Sequence, residues 1–158
     1  MEFTHLDEKN RPRMVDVTAK EPSLREAIAG GRVLMRPDTV KAIESGGVVK
    51  GNVYATAKIA GIMAAKKTSD LIPMCHPLGL TGIDIDFSSD PEKGEIAITA
   101  HVKTLDRTGV EMEAMTAVSV AALTIYDMCK SADRAIVLSD IRLLKKSGGK
   151  SGTFVREE

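Results

Sequence analysis

The chain has no tryptophan and, in 158 residues, only three phenylalanines, two tyrosines and two cysteines. Each scarcity removes a class of function. Proteins that hold single-stranded nucleic acid stack bases on aromatic rings, and this chain offers few rings to stack on. Cys75 and Cys129 are too few and too far apart for a disulfide framework, and neither belongs to a CxxC pair, so a reducing cytoplasm is expected. An excess of one charge sign is missing too: 22 Lys and Arg stand against 22 Asp and Glu, which argues against a partner held by bulk electrostatics such as DNA or RNA. No apolar run approaches the ~18 residues of a membrane span. Met1 to Arg13 carries Glu2, Asp7, Glu8, Lys9, Arg11 and Arg13 and no apolar stretch of the kind a secretory signal needs. The expectation is one soluble domain over 1–158 that buries roughly 70% of its unfolded surface without a disulfide or metal staple.

What is present is pattern. The first 20 residues are polar, with His5 and a short apolar alternation at Met14, Val15 and Val17, which reads as an extended arm (1–13) or edge strand. Residues 24–35, LREAIAGGRVLM, favour a strand restarted after Gly30-Gly31. Pro37-Asp38 opens a short helix that Gly46-Gly47 closes. Asn52 suits the cap of a helix from Val53 to Lys67, rich in small residues that allow close backbone approach. Two alternating runs, Gly82 to Phe87 and Glu95 to Val102, predict a hairpin around Asp90-Pro91. A long helix is expected over about 109–132, a last strand over 135–144, and a flexible glycine-rich tail over 147–158. That order of elements predicts an α+β sandwich of ferredoxin-like kind, an antiparallel sheet with helices on one face.

The zero net charge is unevenly distributed. Lys50, Lys58, Lys66 and Lys67 lie in an acid-free stretch, as do Arg142, Lys145, Lys146 and Lys150, whereas residues 84–95 hold five acids and one lysine. Two basic stretches on a neutral chain point to a local anion site such as the phosphates of a small molecule. Lys50, beside Gly51 at a helix entrance, suits phosphate oxygens. Gly149-Lys150-Ser151 imitates the end of a phosphate-binding P-loop, but the leading glycine is replaced by Leu144 and no helix is expected to follow.

His76 lies between Pro73 and Pro77, on a stiffened loop that could present it as a general acid or base. Cys75 is adjacent, yet no second Cys/His pair stands at metal-ligand spacing, so no metal is expected. Thr108-Gly109-Val110-Glu111 fits a capping box. Glu111 and Glu113 share a face if the strand persists, and diverge by about 200° if a helix has begun. Asp127 and Lys130 share a helix face in an apolar setting where proton affinities can be tuned. On one helix, Glu113 and Asp127 stand roughly 21 Å apart, too far for one small-molecule site in one subunit.

Lys50-Gly51-Asn52-Val53, IAGIMAAKKTSDLIPMCHPL (59–78), TGVEMEAMTAVSVAALTIYDMCK (108–130) and KKSGGKSG (145–152) together resemble the MoaC family of molybdenum cofactor biosynthesis, over about Met14 to Gly152. The resemblance implies a ferredoxin-like subunit in a homohexamer, a trimer of dimers, with active sites at a subunit interface. It also implies a lyase reaction that rearranges 3′,8-cyclo-7,8-dihydroguanosine 5′-triphosphate to cyclic pyranopterin monophosphate with loss of pyrophosphate, without metal or other cofactor. Carried over by position, the substrate-contacting segments fall on Met74, Cys75 and His76 and on Met112 and Glu113, with Glu111 a further acid. The catalytic aspartate falls on Asp127 and the essential lysines on Lys50, Lys130 and Lys146; Arg25 is a further substrate contact. The chain has Asn52 where the family usually has Asp, and Lys58 where it often has Arg. An interface site would let Glu113 and Asp127 come from different subunits.

Overall fold

A computed structural model describes residues 6–157; His5 and the start of the arm lie outside the described residues. Its elements run β1 (Ser23–Leu34), α1 (Pro37–Glu44), α2 (Val53–Ala65), α3 (Thr68–Leu71), β2 (Leu80–Asp90), β3 (Glu95–Asp106), α4 (Glu111–Cys129), β4 (Val137–Ser147) and β5 (Phe154–Val155). All strand pairs are antiparallel, in the order β2-β3-β1-β4-β5. With α2 and α4 laid against the sheet, this is the α+β ferredoxin-like arrangement.

The period-2 rule explains which side the helices cover. Ala27, Ala29 and Val33 of β1 and Ile96, Ile98, Ala100 and Val102 of β3 alternate toward the core and are fully buried. The opposite face is mixed: on it the Lys103 ammonium stands 2.9 Å from the Glu26 carboxylate, and the paired Leu24 and Leu105 are exposed. Gly30 and Gly31 do not interrupt β1. A Cβ on Gly31 would lie 2.6 Å from Val118 Cγ1, so Gly31 lets α4 close on the sheet, whereas Gly30 faces the other side, where a Cβ would lie 2.9 Å from Leu144 of β4. Gly61 plays the same part between the helices, where an added Cβ would stand 2.5 Å from Ile85 Cδ1 and 2.9 Å from the Ala117 carbonyl.

Helix α4 is long and apolar enough to cross a membrane. Here its Ala114, Ala117, Val118, Ala121, Ala122 and Ile125 fill the core. At its end the buried Asp133 carboxylate accepts the Arg36 and Ala135 backbone N–H groups at 2.8 and 3.1 Å, and these bonds hold its proton affinity low despite burial.

Several boundaries differ from the sequence expectation. The small-residue helix stops at Ala65, and Thr68–Leu71 forms a separate turn in which Thr68 Oγ1 donates back to the Ala65 carbonyl at 3.0 Å. The edge strand contemplated near residues 14–17 does not form; among the described residues of the arm, the only β pairing is a bridge between Leu6 and Pro12. Beyond Ser147 the chain turns back, and Phe154 and Val155 pair with Lys146 and Lys145. Asn52 caps α2 as expected, its side-chain oxygen accepting the Ala55 N–H at 2.9 Å.

Candidate active site

Helix α4 carries a group of candidate residues at each end. Its N-cap is Val110 and no side chain caps it, so the capping box read from Thr108 and Glu111 is not made. With the helix already begun at Glu111, the two glutamates diverge. Glu111 turns toward β4, its carboxylate 3.2 Å from Lys146 Nζ, while Glu113 turns inward and is 4% exposed.

Two adjoining cavities result. One, of about 180 Å³, is lined by Met74, Cys75 and His76 from the loop before β2 and by Glu111, Met112 and Glu113 from α4. The structure thus brings together six of the residues singled out from the sequence. Burial, reinforced by the nearby Glu111 charge and opposed only by its own backbone N–H, pushes the Glu113 carboxyl up to about 7. Burial and then the Glu113 charge raise the Cys75 thiol, which keeps it a thiol rather than a thiolate at neutral pH. His76 Nε2 donates to the Val15 backbone carbonyl at 2.7 Å.

The second cavity, of about 170 Å³, is lined by Lys20, Arg25, Arg107 and Lys146, with Glu26, Glu111 and Ser151. Lys146 Nζ donates to Ser151 Oγ at 2.9 Å. Arg25 reaches the Arg107 carbonyl at 3.2 Å, and its Nε is buried without a partner. Gly148 and Gly149 take left-handed φ values of 96° and 75° and fold over Arg25; a Cβ on Gly149 would overlap the guanidinium at 1.7 Å. Four cations around a small polar cavity suit a polyphosphate, whose oxygens accept several charge-assisted hydrogen bonds at once.

The other end of α4 holds Asp127, whose two carboxylate oxygens take Lys130 at 2.7 Å and Lys50 at 3.1 Å; Lys50 also donates to the Asp127 carbonyl at 2.7 Å. Lys130 first and Lys50 second hold the Asp127 carboxyl below its usual range, and Asp127 raises Lys130 in return. All three are open to solvent, able to meet an incoming group. The structure does not bring this trio to the other cavities. Fourteen residues of continuous helix separate Asp127 from Glu113, about 21 Å.

Lys20, Arg107 and Ser151 went unremarked in the sequence. Ser151 lies inside the KKSGGKSG segment but had no role of its own there, and Lys20 and Arg107 are brought close by the fold alone. Among the described residues no group of three or more His, Cys, Asp and Glu side chains is arranged to hold a metal ion.

The chain matches the MoaC family over residues 14–149. It is 60% identical over 156 residues to a protein of Heliobacterium modesticaldum named cyclic pyranopterin monophosphate synthase, covering 99% of this chain and 98% of that one. Proteins of the same name from Pelotomaculum thermopropionicum (59% identical, 98% and 91% covered) and Thermoanaerobacter sp. (58%, 99% of each) are similar over their length. With the family matched over most of its length and near relatives aligned end to end, the chain belongs to the MoaC family.

Proposed function

We propose that the protein is a cyclic pyranopterin monophosphate synthase of molybdenum cofactor biosynthesis, a lyase acting on the cyclised dihydro-GTP and releasing pyrophosphate. The observation that carries this reading is the division of labour along α4: a cationic cavity joined to a buried, neutral-range carboxyl at one end, and an exposed Lys–Asp–Lys trio at the other.

Opening a dihydropurine ring and rebuilding it as a pterin requires repeated proton transfers to ring nitrogens. Glu113, half protonated near pH 7, can both give and take a proton. Lys130 is a charged donor held ready by Asp127, and Asp127 returns the proton balance as a coupled partner. Lys146 and Arg25, with Lys20 and Arg107, neutralise the triphosphate as the cyclic phosphate closes and pyrophosphate leaves.

Because the two ends of α4 are too far apart for one substrate, the complete site forms between subunits, within a homohexamer arranged as a trimer of dimers. Exposed apolar side chains on the helical layer, Ile59 and Met63 one turn apart on α2 and Leu123 on α4, supply surface for that assembly. The substrate derives from GTP, which places the enzyme in the cytoplasm. Incubation with the cyclised nucleotide should release pyrophosphate and a product that oxidises to a fluorescent pterin. Tight binding without either product would identify a non-catalytic receptor for a phosphorylated ligand.

A further inference from the structure

Among the described residues His76 is the one imidazole lining the Glu113 cavity, and a segment far away in sequence holds it. Its Nε2 lies 2.7 Å from the carbonyl oxygen of Val15, in the N-terminal arm. A backbone carbonyl only accepts, so Nε2 bears the proton and the neutral ring is left with its lone pair on Nδ1. The arm is itself anchored. Asp16 accepts the Thr18 N–H at 2.8 Å, Lys20 N–H donates to the Val17 carbonyl at 3.0 Å, and Arg107 Nε donates to the Lys20 carbonyl at 2.9 Å. Arg107 is also the residue whose carbonyl receives Arg25. The segment 15–20 therefore spans both cavities, fixing the histidine of one and bringing Lys20 to the other.

We propose that residues 15–20 are a positioning element of the active site: the Val15 carbonyl selects the Nε2–H tautomer of His76, so that Nδ1 is the basic nitrogen offered to the substrate. This role presupposes the pterin-forming reaction proposed above, whereas the tautomer itself does not. A histidine that is half tied to backbone in this way acts with one nitrogen only and loses no time in the wrong tautomer.

Histidine-selective ¹⁵N NMR on the intact chain, with His5 and His101 assigned through His5→Gln and His101→Gln, reads the tautomer of the third histidine, His76, directly. The expected result is Nε2–H for neutral His76. In a chain lacking residues 1–17, the His76 signals should move to the mixture of tautomers of a free imidazole, and kcat should fall roughly tenfold or more. An Nδ1–H tautomer in the intact chain, a His76 spectrum unmoved by removal of the arm, or undiminished kcat in the shortened chain would overturn the proposal. Should the shortened chain not fold, the intact-chain spectrum decides alone. Failure of the intact chain to make pterin counts against the reaction, and the tautomer measurement stands apart from it.

Discussion

Glu113 and Asp127 are both carboxylates on α4, yet their surroundings push them in opposite directions. Glu113 is buried, among the described residues, without a cation to pair with, so its carboxyl titrates at about 7 rather than 4.5. The folded chain then binds more protons than the unfolded chain between those values, and stability falls as pH rises from about 4.5 through about 7. Glu113→Gln should remove that slope and stabilise the fold at pH 8 by about 2 kcal/mol while changing little at pH 4, a difference readable in urea titrations at the two pH values. In the parent enzyme the kcat/KM profile should bend near pH 7 as Glu113 titrates, and Glu113→Gln should lose pterin formation across the whole profile. Asp127 has the reverse logic, ionised and held between two lysines. Asp127→Asn should abolish the pterin product and leave the thermal unfolding midpoint close to that of the parent, because an exposed ion pair contributes little to stability. Full activity in that variant would refute its catalytic role.

At the scale of elements, glycines decide how closely the parts approach. Replacing a helical glycine by alanine ordinarily gains up to ~1 kcal/mol of propensity. Gly61→Ala should instead destabilise by about 1–2 kcal/mol, since its Cβ must displace Ile85 and the Ala117 carbonyl; a rise in the denaturation midpoint would contradict the close α2–α4 packing. Gly149→Ala should lift the loop off Arg25 and raise KM at least tenfold with the far-ultraviolet spectrum unchanged. These elements also show what could be read in advance. The alternation in β3 is clear because one sheet face is dry, and the order of elements along the chain pointed to an antiparallel sheet with a helix layer, whereas the order of strands within the sheet was not legible. The short α3 turn, the return of β5 and the missing cap on α4 depend on tertiary contacts: Thr68 bonding back to Ala65, Phe154 finding Lys146, and Lys146 drawing Glu111 away from its own helix start. Site residues at motif positions, such as His76 and Lys146, were legible for the same reason that the strands were, as local pattern. Lys20, Arg107 and the Val15 carbonyl were not, because only the fold places the arm beside the loop and β3.

For the molecule as a whole, the assembled state should be the active one. Chains carrying Glu113→Gln and chains carrying Asp127→Asn, each inactive alone, should recover part of the activity when unfolded together and co-assembled, because some sites then receive both intact halves. No recovery, with mixed assemblies confirmed by mass spectrometry, would place each site within one subunit. Exposed apolar side chains lie on the helices (Ile59, Met63, Leu123) and on the sheet (Leu24, Leu105), and the face that loses most hydrogen exchange on assembly should be one that carries them.

The rigid α4 between the two groups of residues has a consequence for mixtures. Side-chain motion cannot shorten ~21 Å of hydrogen-bonded helix, so under the proposed assembly a lone chain owns two half-sites and no whole one. Each chain then serves two reaction centres, one through each end of the helix. A subunit damaged at a single end spoils one centre and leaves the other working, which makes such damage partial and recessive in a mixed population. Dilution below the assembly constant, by contrast, silences every centre at once.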